Sequence, residues 1–166
     1  MKDLSKDPLN ILVAGVGGQG NVMLAQVMAQ ALVREGYFAV VGDTFGASQR
    51  GGSVASHVRV SKRTEYSSIL PQGSADFIVG MEPSETLRAL GSYGNPKTQV
   101  IMNPRIISPP TVISGADTYP ELEDLINNIK KYSSKTWLIP ATEEALKMGN
   151  RMMANTILLE IGRAHV

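Results

Sequence analysis

Residues 10–20, NILVAGVGGQG, decide how the rest of the chain is read. NILVAG is a short apolar, β-favouring run that stops at glycine. The residues that follow, NVMLAQVMAQALVREG, are rich in Ala, Met and Leu and are closed by Gly36 as a helix C-terminal signal. The expected order is strand, glycine turn, helix. That helix is apolar around most of its circumference, so it should lie between a sheet and something further. Gly15, Gly17 and Gly20 satisfy G-x-G-x-x-G at this junction. In that motif the first glycine permits the turn, the second lets an anion approach the backbone, and the third lets the helix pack on the strand. The helix N-terminus adds free N–H groups and a partial positive charge. With Asp43 at the end of the next strand as a ribose partner, the motif admits a dinucleotide. Equally, such glycines serve tight packing with nothing bound. Gly18 and the amide of Gln19 make this turn more polar and more exposed than a nucleotide needs, which points to a specialised contact.

Working outward, YFAVVGD reads as a second buried strand. In SVASHVRV, Val54, Ser56, Val58 and Val60 alternate with Ala55, His57 and Arg59, the pattern of a half-covered strand. DFIVGM is a strand followed by a helix from about Pro83 to Leu90, and TQVIMN is a further strand. PELEDLINNIKKY is an amphipathic helix with Leu122, Leu125, Ile126 and Ile129 on one face. TWLIP and TEEALKMGNRMMANTILLEIG give a last strand and a last helix bent near Gly149 and Asn150. In that helix Met152, Met153, Ile157, Leu158 and Ile161 serve as core or as partner surface, core being the plainer reading. The prolines of NPRIISPPTVISG favour an irregular or edge segment. Strands alternating with helices imply an α/β fold, a Rossmann-like three-layer sandwich with a mostly parallel sheet.

Composition narrows the function. The 166 residues, 43% of them hydrophobic, suit one compact domain. Sixteen basic and 15 acidic residues give a formal charge of +1 without runs of one sign, so neither nucleic acid nor a lipid surface is indicated. The absence of cysteine excludes disulfides, thiol nucleophiles and cysteine-ligated iron–sulfur clusters within this chain. A polar start and no long apolar run imply a soluble cytoplasmic protein.

FGASQRGGSVASHVR, residues 45–59, follows the second strand at the sheet edge where open α/β folds place ligands. The planar fork of Arg50 suits phosphate or carboxylate, an internal salt bridge being the plainer alternative. Gly51 and Gly52 permit close approach of a ligand or a neighbouring chain. Ser48 and Gln49 add adaptable hydrogen bonds. His57 and Arg59 share a strand face, but a lone histidine on a strand is more often structural.

Together, GVGGQG and SQRGGS at this separation resemble the gamma-type subunit of 2-oxoacid:ferredoxin oxidoreductases, the indolepyruvate type above all. GSADFIVGMEPSETLRAL and ALKMGNRMMANTILL extend the resemblance over nearly the whole chain. It implies a single gamma-type domain over 1–166 that works as an accessory subunit with no catalytic residue, metal or redox cofactor of its own. A large partner subunit is expected to carry thiamine diphosphate, magnesium and iron–sulfur clusters in a hetero-oligomer. The complex would decarboxylate an aryl 2-oxoacid, pass the acyl group to coenzyme A and reduce ferredoxin. Coenzyme A is the ligand this chain would share, held at Gly15, Gly17, Gly18, Gln19 and Gly20 and at Ser48, Gln49, Arg50, Gly51 and Gly52. The placement of Gly42–Asp43 relative to Asn127–Asn128 does not match the thiamine-diphosphate pattern. The tail EIGRAHV and the absence of a proline after the Gly-Asn of GNRMMAN depart from the family, so the C-terminal end is expected to be truncated or foreign. Two other readings stay open: a free-standing NAD-dependent oxidoreductase using Gly15, Gly17, Gly20 and Asp43, and a module that binds phosphate-bearing metabolites.

Overall fold

A computed structural model describes residues 3–46, 52–150 and 153–165. The apolar run before the glycines forms β1 (Leu9–Val16), buried along its whole length. It is buried because both edges and both faces are covered. On one edge it pairs antiparallel with β3 (Ser53–Ser61) and on the other parallel with β4 (Phe77–Gly80). Beyond β3 lies β2 (Phe38–Phe45), antiparallel to it, and beyond β4 lie β5 (Gln99–Met102) and β6 (Lys135–Leu138), both parallel. The sheet order is β2-β3-β1-β4-β5-β6. β3 alone runs against the other strands, so the sheet is mostly parallel, as the alternation of elements implied.

Alternate residues of the central strands feed two cores. Ile11, Val13 and Val79 face α1 (Asn21–Arg34), α5 (Ala141–Lys147) and α6 (Ala154–His165), which contribute Leu24, Ala145 and Leu158. Leu12, Ile78 and Val100 face α2 (Pro83–Tyr93) and α4 (Leu122–Tyr132), which contribute Leu90 and Ile129. Each such aliphatic side chain taken from water contributes about 1.5–3 kcal/mol. The three-layer sandwich follows directly from this period-two division.

Three local expectations need correction. β2 is an edge strand rather than a buried one, because β3 turns back and inserts between it and β1. β3 is covered on both faces: the connection after it folds over the sheet in place of a helix, so that Arg59 donates to Ser67 and Leu70 N–H donates to His57. The last helical stretch is two helices, α5 and α6, interrupted at Gly149 with φ +82°. In α6, Leu158 is core, and Met153 and Ile157 pack against it, whereas Met152 lies outside the described residues. As for α1, it packs on the sheet and touches α6, and among the described residues nothing further covers its outer face, where Met23, Val27 and Val33 are 45–53% exposed. The proline-rich segment after β5 is irregular apart from the short α3 (Pro110–Ile113). Among the described residues no helix is long and apolar enough to cross a membrane.

Candidate functional site

All the parallel strands end on one edge of the sheet. From β1 the chain passes through α1 to one side, and from β4 it passes through α2 to the other, so the topological switch lies between the carboxyl ends of β1 and β4. Open α/β folds hold their ligands in that crevice. Here the chain fills it. Val16 N–H donates to Gln19 Oε1 at 2.8 Å, and Gln19 Nε2 donates to the Met81 carbonyl at 2.9 Å, so one side-chain amide joins the two strand ends. Asn21 Nδ2 donates to the Val16 carbonyl at 3.2 Å.

The glycines make room for this plug. Gly15 is still within the strand, and a Cβ there would come within 2.5 Å of Gln19 Oε1, 2.8 Å of Met81 Cβ and 2.9 Å of Asn21 Oδ1. Gly18 makes the turn at φ +96° and faces open space. Gly20, at φ +81°, is the residue before α1. Asn155 of α6 seals that corner, donating from Nδ2 to the Gln19 carbonyl at 3.1 Å and reaching the Gly20 carbonyl at 3.5 Å. Of the four N–H groups from Gly17 to Gly20, that of Gly17 bonds to the Gly52 carbonyl at 2.9 Å and that of Gln19 to the Val16 carbonyl at 3.3 Å.

The Gly17–Gly52 bond joins the two glycine clusters. The β2–β3 hairpin closes at Gly46 N–H to Ser53 carbonyl, 2.7 Å, and Val16 stands opposite Ser53 in the ladder. The structure therefore brings Gly15, Gly17, Gly18, Gln19, Gly20 and Gly52 together. Ser48, Gln49, Arg50 and Gly51 lie outside the described residues. Behind the hairpin, a cleft of about 250 Å³ opens between α2 and the ends of β2 and β3. Ala14 and Ala55 form its floor, Phe45 and Tyr93 line its walls, and Arg88 Nη1 sits 3.2 Å from Glu85 Oε1 there.

Asp43, His57 and Arg59 have structural partners. Asp43 accepts a hydrogen bond from Ser56 Oγ. Because β3 intervenes, it sits two strand spacings, roughly 10 Å, from β1. In a dinucleotide fold the corresponding acid is on the adjacent strand. His57 is fully buried; its Nδ1 accepts from Leu70 N–H at 3.3 Å, which leaves Nε2 of the neutral ring to donate to Thr44 Oγ1, also at 3.3 Å. Burial holds its pKa below the ordinary histidine value, against a smaller upward pull from Asp43. Arg59 is spent on Asn10 and Ser67 and lies over Tyr66.

The sequence reading missed Glu82, which is 1% exposed at the carboxyl end of β4. Its carboxylate accepts from Glu85 N–H at 2.9 Å, capping α2, and from the Tyr119 hydroxyl, strapping the 104–121 connection across the edge. Burial drives its pKa upward, outweighing the hydrogen bonds from Tyr119 and Glu85 that lower it. Burial and the Glu82 partner also push the Tyr119 hydroxyl well above the ordinary tyrosine value. An acid immediately before Pro83 at a helix start was the available signal.

Fold and site together define a doubly wound α/β domain whose glycine turn is closed by its own side chains and tied to a hairpin loop. The comparisons with known proteins agree. Residues 10–161 match the family model described as pyruvate ferredoxin/flavodoxin oxidoreductase. The indolepyruvate oxidoreductase subunit IorB of Archaeoglobus fulgidus is 38% identical over 91% of this chain and 74% of its own length. The pyruvate/ketoisovalerate oxidoreductases common subunit gamma of Thermococcus kodakarensis is 23% identical over 91% of this chain and 74% of its own. The pyruvate oxidoreductase subunit PORC of Thermotoga maritima superposes with a TM-score of 0.64 at 18% identity, over 93% of this chain and 74% of that one. The chain belongs to the pyruvate ferredoxin/flavodoxin oxidoreductase family and is an accessory component of a 2-oxoacid oxidoreductase.

Proposed function

We propose that this chain is the non-catalytic subunit of an indolepyruvate-type, aryl 2-oxoacid:ferredoxin oxidoreductase, acting in the cytoplasm. The observation that supports this reading most directly is the Gly17–Gly52 bond, which brings together one residue from each of two motifs far apart in sequence. The 38% identity to an indolepyruvate oxidoreductase subunit favours the aryl substrate. Iron–sulfur clusters do not fit this chain, which has no cysteine to ligate them. Thiamine diphosphate and magnesium are likewise assigned to the large companion subunit, with ferredoxin as the electron acceptor of the complex.

Coenzyme A is the ligand proposed to be shared between the subunits. A solved 2-oxoglutarate:ferredoxin oxidoreductase from Magnetococcus marinus, with coenzyme A bound, superposes with a TM-score of 0.65 at 23% identity over 91% of this chain and 23% of that one. With the Gly17 and Gln19 N–H groups already engaged, the anion contact is assigned to the open turn at Gly18, the start of α1 and Arg50. The test is 2-oxoacid-dependent viologen reduction with coenzyme A. The complex isolated from the native cell should turn over indolepyruvate faster than pyruvate or 2-oxoglutarate, and the purified chain should give no reduction. Turnover by the chain alone would overturn the assignment. NADH protecting Gly15–Gly20 and Asp43 amides at micromolar concentration would favour the dinucleotide reading instead.

A further inference from the structure

We infer that the outer face of α1 and the free edge of β2 form a second docking surface, on which the companion subunit of the complex seats a neutral apolar segment. This rests on the subunit reading above and adds the place of contact.

The two edges of the sheet are finished differently. On β6 the ammonium of Lys135 lies 4.4 Å from the Trp137 ring centroid, so a charge stands at that edge, as edge strands facing water commonly arrange. β2 carries no lysine, arginine, glutamate or proline, and its single charge, Asp43, is tied inward to Ser56. Among the described residues no strand pairs with its outer edge. Phe38 and Phe45 at its two ends are 43% and 68% exposed.

The helix beside it shows the same absence of charge. From Asn21 to Val33, α1 holds no ionisable residue, and only Arg34 closes it. Its exposed positions are Met23, Gln26, Val27, Gln30, Ala31 and Val33, with Arg34 at the end. A helix facing water normally carries charge on that side, as α4 does with Glu123, Asp124, Lys130 and Lys131. A shallow groove lined by Ala29, Gln30, Val33, Arg34 and Ala39 joins the helix face to the strand edge. Phe45, the last residue of β2, is followed directly by Gly46, where the hairpin loop assigned to the first contact begins.

Arg34 is the one charge of this helix face and stands at its end, so an ionic surface laid over Met23, Val27 and Phe38 would lose hydration without gaining an opposite charge there. A second copy fits poorly. Two β2 strands paired antiparallel about a two-fold axis set residues of one face opposite each other, yet Phe38 and Phe45 are seven apart and lie on opposite faces. Neither phenylalanine could then meet the other. Relatives at 31–38% identity are named as subunits, which leaves the companion as the occupant.

The experiment compares the tagged chain in the complex isolated from its native cell with the same chain purified alone, by hydrogen exchange. The outward amides of Phe38–Phe45 should slow by about tenfold or more in the complex, while those of β6 should not change. Val27→Glu with Val33→Glu, both at exposed positions, should keep the isolated chain's circular dichroism and melting temperature and lose the companion. Phe45→Lys gives an independent variant should the helix changes impair folding. Equal β2 exchange in complex and free chain, with the companion present, overturns this inference alone. A free chain that is already dimeric with slow β2 amides overturns it in favour of a second copy. Isolation with no thiamine or iron–sulfur companion at all overturns the underlying subunit reading.

Discussion

The two hydrogen bonds of the Gln19 amide hold backbone groups that belong to different strand ends, one at Val16 and one at Met81. Gln19→Ala leaves both without their partner and should cost about 2 kcal/mol in urea unfolding. A loss below about 0.5 kcal/mol would show that water replaces the amide. Glu82 gives a pH signature. Its folded pKa lies above the ordinary value of 4.5, so between 4.5 and that raised value the folded state binds more protons than the unfolded one. Stability from this group is fully present below 4.5 and is lost as the pH rises through the folded pKa. Subtracting the stability–pH curve of Glu82→Gln from that of the wild type should therefore give a difference that falls with rising pH; a flat difference would refute a raised Glu82. At this scale the sequence showed which residues are special but not what they touch. The glycine spacing was legible because backbone freedom is local. The inward turn of Gln19 and the cap by Asn155, 136 positions away, depend on tertiary packing. The partners of His57 are a backbone N–H and a hydroxyl, contacts set by tertiary packing.

Elements were legible where a single period dominated. α4 follows its apolar stripe, with Leu125 and Ile129 buried, and β1, β4 and β5 follow their short apolar runs. Where the reading failed, the cause was placement and not propensity. FAVVGDTF has the composition of a central strand, yet it stands at the edge because the following strand reverses direction and takes the inner position. SVASHVRVS looks half-covered, yet the 62–74 connection lies over it, with the Ser68 and Ile69 side chains tight against Gly42. No local pattern reports that a loop will do the work of a helix. The bare face of α1 is the opposite case: its uniform apolar character was visible, and the layer it calls for is not supplied within the described residues.

For the whole molecule, the two cores share the strands β1, β4 and β5, whose alternate side chains enter one core and then the other. Neither can lose its packing while the sheet persists unaltered for the other. Thermal or urea unfolding should accordingly be one transition, with the fluorescence of the single tryptophan, Trp137, and far-ultraviolet circular dichroism giving coincident midpoints. Separated midpoints would show that the helical layers melt independently.

The reversed strand β3 has a mechanical corollary. Because it returns the chain from the hairpin tip to the side of β1, force applied at that tip travels through the Gly52 carbonyl into Gly17 and on to the first turn of α1. A neighbour gripping the loop thus has a lever on the helix, and leverage of that kind requires the two to be tethered by backbone, whatever side chains decorate them.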